Sequence, residues 1–165
     1  MARHGVVIRW QRNGAVFTDR RYSRRHAWHF DGGTEVPATS SPAVVPVPLS
    51  DPVAVDPEEA FVAALSSCHM LWFLDLAARA GWTVDAYEDH AGGTLAPRAD
   101  GRLWLSHVAL DPAVRFGGAR APSDGEVRAL HDRAHEECFL ANAVKCRISI
   151  GGTWTHAAPE AAPST

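Results

Sequence analysis

The sequence predicts an α+β protein whose strands pair mainly in antiparallel sheets. Strand-like runs of alternating or β-branched residues occur near both ends of the chain and in its middle. Two other segments carry helix-start signals followed by longer apolar patterns. The resulting order, three strands, a helix, two strands, a helix and a strand, is typical of the α+β class. At 165 residues the chain is long enough to bury its own core, and we expect one domain over residues 1–156.

The N-terminal third is predicted to form a small meander. Residues 5–10 (GVVIRW) and 15–19 (AVFTD) are strand-like and flank an Asn13-Gly14 pair, which is a typical hairpin turn. Residues 26–30 (HAWHF) alternate in polarity and form a third strand. Residues 34–56 contain five prolines, too many for a central strand or a helix. We therefore expect an ordered surface connection there.

A long helix is predicted to follow this connection. Asp56 is a good N-cap, Pro57 suits the first helical position, and Glu59 has capping-box spacing. With Gly81 as the stop, the helix covers about 24 residues, or ~36 Å at ~1.5 Å per residue. Its apolar residues are too many for one stripe, so we expect other elements, and a partner chain, to enclose it. These residues are Phe61, Val62, Leu65, Met70, Leu71, Trp72, Phe73, Leu74 and Leu76.

The second half of the chain supplies the remaining elements. Residues 82–95 and 103–116 are strand-like, with turn signals at Gly92-Gly93 and at residues 98–102 (RADGR). A second helix is predicted from a Ser123 cap through residues 124–142, and residues 144–155 form the closing strand. The last residues, 157–165, are predicted to form a disordered tail.

Composition narrows the class of protein. Hydrophobic residues make up 46% and charged residues 21%, values typical of a globular chain. A net charge of −3 argues against a nucleic-acid-binding protein. The most apolar run, Ala60–Leu74, is shorter than the ~20 residues of a membrane span, and the N-terminus lacks the apolar segment of a signal peptide. These features predict a cytoplasmic protein.

The sequence contains three cysteines, which are either structural or chemically reactive. Cys68, Cys138 and Cys146 form no C-x-x-C pair, and a disulfide framework is not expected in the cytoplasm. Taken alone, Cys68 is more typical of a buried structural residue than of a reactive one. It lies too far into its helix for the helix dipole to help, so a reactive Cys68 needs a side-chain cation. His69 points about 100° away around the helix and is a poor candidate for that partner.

A second pattern lies in the second helix. His131, His135 and Cys138 stand at positions i, i+4 and i+7 on one helical face, a spacing that can bind zinc. However, the residue after His131 is not the glutamate of a metalloprotease HExxH motif, and no fourth metal ligand is evident in the sequence. A polar-lined groove beside the core is the more ordinary interpretation.

Three motifs together resemble the OsmC/Ohr family, the osmotically inducible protein C and organic hydroperoxide resistance proteins. Residues 56–68 (DPEEAFVAALSSC) and 134–145 (AHEECFLANAVK) are similar to its two cysteine motifs. Residues 22–33 (YSRRHAWHFDGG) resemble the N-terminal motif of the OsmC-like branch. The resemblance implies an intertwined homodimer with long central helices between sheets.

The resemblance also implies an activity, a thiol peroxidase acting on organic hydroperoxides. Cys68 matches the peroxidatic cysteine and Cys138 the resolving cysteine. Attack on a peroxide would leave a sulfenic acid on Cys68, which condenses with Cys138 to an intramolecular disulfide. The family implies no bound cofactor; a dithiol such as dihydrolipoamide recycles the enzyme as a co-substrate.

Two further residues complete the site that the resemblance implies. Glu58 matches a glutamate that pairs with an active-site arginine, and Arg24 is the best match to that arginine. Arg25 and Arg21 are close enough to remain alternatives. On a straight helix Glu58 lies ~15 Å along the axis from Cys68, so we expect it to serve the other subunit.

Several alternatives stay open on the sequence. The chain could be a non-catalytic OsmC-like protein that binds an apolar ligand, or a metal-binding protein that uses His131, His135 and Cys138. Cys146 fits a strand core but could also compete as the resolving thiol. The sequence assigns no role to His69.

Overall fold

The computed structural model describes residues 1–158, in two compact units. The first covers Met1–Phe61 and the second begins at Val62. The predicted single domain over residues 1–156 therefore stays a prediction. The predicted disordered tail lies outside the described residues from residue 159 onward, and residues 157–158 have no regular secondary structure.

The first unit contains a three-stranded antiparallel sheet. Its strands are β1 (Val6–Arg9), β2 (His26–Phe30) and β3 (Glu35–Ala38), with β2 in the centre. The predicted connection therefore contains a strand. Pro37 pairs opposite Ala27 on an edge strand, where the missing N–H of proline costs no central ladder bond.

The predicted strand at residues 15–19 was wrong. Asn13 and Gly14 do form a turn with positive φ, at 49° and 79°, but the chain beyond it does not pair with β1. Instead Phe17 stacks on the ring of Tyr22, with centroids 4.7 Å apart. Aromatic packing has replaced a hairpin at this point.

The first helix, α1 (Pro57–Arg79), begins as the sequence predicts. The Glu59 N–H donates to Asp56 Oδ1 at 2.8 Å, and the Asp56 N–H donates to Glu59 Oε2 at 3.1 Å, which is a reciprocal capping box. After the helix, Gly81 has φ of 79°, a left-handed conformation that favours glycine. Both predicted ends of α1 are confirmed.

Only one stripe of α1 is buried within the chain. Leu65 and Phe73 are nearly inaccessible, whereas Leu71 on another side is 60% exposed. The buried stripe consists of Val62, Leu65, His69, Phe73 and Ala77. The predicted enclosure of the whole helix is therefore not provided by the described residues of one chain.

By length and composition α1 could cross a membrane, with a mean hydropathy of 1.5 over its best 18-residue window. The run Ala60–Leu74 is shorter than a membrane span, but the mean hydropathy stays high over a longer window of α1. One such helix is weak support for a span, because the core helix of a soluble protein passes the same test. Phe73 and Ala77 in fact lie in a core shared with strands and a second helix.

The second unit contains two three-stranded mixed sheets. One has the order β4 (Thr83–Asp89), β7 (Pro112–Gly117), β9 (Thr153–His156); the other has β5 (Gly92–Pro97), β6 (Leu103–Leu110), β8 (Arg147–Ile150). The pairs β4–β7 and β5–β6 are antiparallel, whereas β7–β9 and β6–β8 are parallel.

Each of the three strand segments predicted here is in fact two strands. Each segment breaks in its middle, and its two halves join different sheets. Asp111 separates β6 from β7, and Gly151-Gly152 separate β8 from β9. Gly152 has φ of 102° and a Cβ there would collide with the carbonyl oxygen of Pro112, so the break requires glycine.

The second helix, α2 (Asp124–Glu137), starts at the predicted cap. Ser123 and Glu126 form a capping box in which both backbone N–H groups are bonded. The helix ends five residues earlier than predicted, and Cys138 is its C-cap in extended conformation. The side chain of Asn142 donates to the carbonyls of Glu136 and Cys138, which satisfies acceptors left free at the helix end. A short 3₁₀ helix, Ala141–Ala143, follows.

Candidate functional site

The second unit brings two of the predicted site residues together. Cys68 lies in the middle of α1, half-buried, and Cys138 lies fully buried at the C-cap of α2. Both are free thiols, and Cys68 lies close enough to Cys138 to affect its pKa. Residues 70 positions apart in the sequence thus become neighbours, as a disulfide between them would require.

Burial and this neighbour set the acidity of Cys138. Desolvation, followed by the interaction with the Cys68 thiol, raises the pKa of Cys138 to about 11. The Ala141 N–H, which donates to Cys138 Sγ at 3.4 Å, opposes this shift only in part. Cys138 is therefore a neutral thiol near pH 7.

Apolar side chains adjoin the two thiols along the chain. Trp72 lies one turn beyond Cys68 and packs edge-to-face against Phe139, the residue after Cys138, with centroids 5.6 Å apart. Phe139 is 73% exposed and Leu71 is 60% exposed. The surface next to the thiols is thus apolar and open in the single chain.

The structure distinguishes the candidate arginines of the first unit. Arg24 is half-buried, and its guanidinium lies 3.9 Å above the ring of Tyr22. Arg24 Nη1 donates to the carbonyl of Arg20 at 2.8 Å and to the carbonyl of Tyr22. Arg25 is exposed and pairs instead with Asp51 at 2.9 Å. Arg24 is the cation whose position is fixed by several contacts, and Arg21 is exposed.

The predicted contact between Glu58 and Arg24 is not made within this chain. Glu58 lies in the first turn of α1 and is half-buried. No ion pair joins it to any other described residue. Within residues 1–158 the two thiols therefore lie near each other, whereas Glu58 has no ion-pair partner.

A buried pair of histidines was missed by reasoning from the sequence. His69 Nε2 and His131 Nδ1 are 3.0 Å apart, and the two rings lie parallel within 3°. His69 is 1% exposed and His131 is 9% exposed. Because Leu65, His69 and Phe73 follow one another at i, i+4 and i+8, the spacing could have placed His69 on the core side of the helix.

Burial keeps both imidazoles neutral. Desolvation is the main cause that lowers the pKa of His69 to about 4, and the neighbouring His131 and His135 add to it. Desolvation also lowers the pKa of His131 to about 4, against an opposing effect of Asp132 and Asp89. His69 Nδ1 is buried and has no hydrogen-bond partner among residues 1–158.

The zinc hypothesis for the second helix is not supported. His131 faces the core and contacts His69, and Cys138 has already left the helix. Within the described part of the chain, no group of three His, Cys, Asp or Glu side chains is placed to hold a metal ion. Cys146 is a half-buried free thiol just before β8, and the structure assigns it no role.

Comparisons with known proteins match this architecture. The family model described as OsmC-like protein matches residues 50–151. A solved OsmC-like protein of unknown function from Vibrio cholerae is 45% identical, with a TM-score of 0.89, and covers 93% of this chain and 100% of its own. None of the curated proteins compared with the chain matched it.

Two more distant structures share the fold. An organic hydroperoxide resistance protein from Elizabethkingia anophelis, with thiocyanate bound, is 17% identical, has a TM-score of 0.69 and covers 95% of this chain and 98% of its own. An organic hydroperoxide resistance protein of Bacillus subtilis is 15% identical, has a TM-score of 0.61 and covers 93% and 98%. The α+β fold prediction is thereby confirmed, and the chain belongs to the OsmC-like protein family.

Proposed function

We propose that this protein is a thiol-dependent peroxidase that reduces organic hydroperoxides. The observation that carries the proposal is the pair of neighbouring thiols, Cys68 and Cys138, in the second unit. Membership of the OsmC-like family supports it, because proteins that share this fold are named organic hydroperoxide resistance proteins.

The exposure of the two thiols supports an order in which Cys68 reacts first. Cys68 is partly accessible, whereas Cys138 is 0% exposed and is held neutral by a pKa of about 11. Of these two thiols, Cys68 is the one that can meet a substrate from solvent. Its thiolate attacks the distal oxygen of the hydroperoxide, an S–O bond forms, the O–O bond breaks, and the alkoxide takes a proton and leaves as the alcohol.

The proposed resolving step is supported by the proximity of the two thiols. The Cys138 sulfur attacks the sulfenic acid on Cys68, the S–S bond forms, and the sulfenic oxygen leaves with the thiol proton as water. A dithiol such as dihydrolipoamide, acting as a co-substrate, then reduces the disulfide by exchange and becomes a disulfide itself. No bound cofactor takes part in this cycle.

Arg24 is the cation we propose for the Cys68 thiolate. A guanidinium stays protonated at physiological pH and presents a planar array of donors. Two carbonyls and the Tyr22 ring hold Arg24 in place, so little entropy is lost when it meets an anion. Glu58 would align this arginine through a bidentate contact.

We propose that the active form is a homodimer acting in the cytoplasm. Residues on the side of α1 away from the core, such as Leu71, are exposed although apolar. A second copy would remove this surface from water. The ~15 Å between Glu58 and Cys68 along one helix, from ~1.5 Å per residue, supports a Glu58 that serves the partner's thiol.

The experiment is a single-turnover oxidation followed by mass spectrometry. Reduced protein treated with one equivalent of cumene hydroperoxide should lose two hydrogen atoms, a mass decrease of about 2 Da, and link Cys68 to Cys138, while the hydroperoxide is reduced to its alcohol and water. Cys146→Ser is the matched control and should form the same disulfide, whereas Cys68→Ser should form none. If Cys68→Ser consumed hydroperoxide as fast as the unmodified chain, Cys68 would not be the reacting thiol and the proposed cycle would fail.

A further inference from the structure

A pocket in the first unit is not used by the proposed thiol chemistry. It has a volume of about 400 Å³ and is lined mainly by Ile8, Trp10, Phe17, Tyr22, Arg24 and His26. This volume lies within the range of about 300–1,000 Å³ that is typical of small-molecule sites. All of its lining residues belong to the unit that ends at Phe61.

Three aromatic rings form one wall of the pocket and support one another. Phe17 and Tyr22 stack with centroids 4.7 Å apart, and Trp10 packs on Tyr22 edge-on at 5.3 Å and on Phe17 at 5.9 Å. The Trp10 indole N–H donates to the Ser23 carbonyl at 2.8 Å, which fixes the orientation of its ring. The cluster is therefore preformed rather than assembled around a ligand.

The same rings remain accessible. Trp10 is 37% exposed and Phe17 is 49% exposed, although both are large apolar side chains. Arg24 stands at this wall with its guanidinium above Tyr22, and its contacts with the carbonyls of Arg20 and Tyr22 are made through Nη1. The aromatic wall of the pocket therefore lies next to one cation, Arg24, whose position is fixed by its contacts.

We propose that this pocket binds the aryl group of an aromatic hydroperoxide and makes the enzyme selective for aryl over small alkyl hydroperoxides. The inference rests on the proposed function, because Arg24 would hold the thiolate and also border the pocket. Aromatic pairs gain energy from offset or edge-to-face geometry beyond their buried area, and an alkyl group lacks this gain. Phe17 and Trp10 are the residues that determine the specificity.

The kinetic test compares two substrates in matched variants. The ratio of kcat/KM for cumene hydroperoxide to that for tert-butyl hydroperoxide should fall about tenfold in Phe17→Leu, because one lost ring contact amounts to roughly 1.4 kcal/mol. Phe30→Leu is the control, since Phe30 is also exposed, at 41%, and lies in the same unit without lining the pocket. An unchanged ratio in Phe17→Leu overturns the proposal.

A binding test separates this inference from the peroxidase proposal. In Cys68→Ser protein, 2-phenyl-2-propanol, the product alcohol of cumene hydroperoxide, should shift the Trp10 indole N–H resonance, and tert-butanol should not. This shift without turnover in the unmodified protein would defeat the peroxidase proposal and keep the aryl site. Turnover without the shift, or a pocket filled by a second copy of the chain, would defeat the aryl site alone.

Discussion

The buried histidine pair makes the stability of the protein depend on pH in a predictable way. His69 and His131 have pKa values of about 4 in the folded protein, compared with about 6.5 when unfolded. Because the folded pKa is lowered, the unfolded chain binds more protons between these values. The stabilising effect is complete above about pH 6.5, declines as the pH falls toward 4, and changes no further below that.

The magnitude follows from the same two values. Between pH 7 and pH 5 each histidine should lose about 2 kcal/mol of unfolding free energy, so that the pair loses about 4 kcal/mol. At roughly 2–4 °C per kcal/mol for a chain of this size, the melting temperature should fall by about 10 °C. Little solvent screening is expected, since the side chains are only 1% and 9% exposed.

Urea unfolding at pH 7, 6 and 5 measures this effect. A His69→Leu/His131→Leu double variant removes both titrating groups together and leaves no orphaned partner of the hydrogen bond, so it should fold. Its stability should vary with pH by about 4 kcal/mol less than that of the unmodified chain. His4→Gln is the control, because His4 is exposed. If the double variant and the unmodified chain showed the same dependence on pH, the histidines would not be buried in neutral form.

Three further predictions concern the proposed chemistry. Cys138→Ser should react with one equivalent of hydroperoxide at an unchanged rate but accumulate a sulfenic acid on Cys68. Dimedone labelling and mass spectrometry detect this sulfenic acid. Rapid formation of a disulfide through Cys146 would contradict the prediction. Arg24→Lys should lower kcat/KM at least about tenfold in a steady-state assay, because lysine lacks the planar array of donors of arginine. Arg25→Lys is the control and should change kcat/KM less than about threefold in the same assay. Equal losses in the two variants would place the functional cation elsewhere. Mixing Cys68→Ser with Glu58→Gln after reversible dissociation should restore part of the activity, because a mixed dimer contains one complete site; no recovery would mean that Glu58 serves its own chain.

The sequence predicted the helices well because capping is local. Asp56 and Glu59 lie three residues apart, and so do Ser123 and Glu126, so each start depends on a few neighbouring residues. The end of α2 was predicted less well. There the chain leaves the helix at Cys138, and the side chain of Asn142 folds back onto its last carbonyls.

The strands were predicted less well because strand identity depends on distant partners. Asp111 separates β6 from β7, which belong to two different sheets, although the sequence predicts one strand over residues 103–116. In the first unit, the partner of β1 is β2 rather than the segment directly beyond the Asn13-Gly14 turn. Pairing across a sheet is a long-range choice that local propensity does not determine.

The sequence by itself determined the helix starts, the three motifs that resemble the family, and the two cysteines that we propose as reactive. The tertiary structure decided that Cys68 and Cys138 are neighbours and that His69 meets His131 across 62 positions of sequence. It also decided which arginine is held in place. The physical reason is that burial, and the pKa values that follow from it, belong to an environment assembled from distant segments and not to any one stretch of chain.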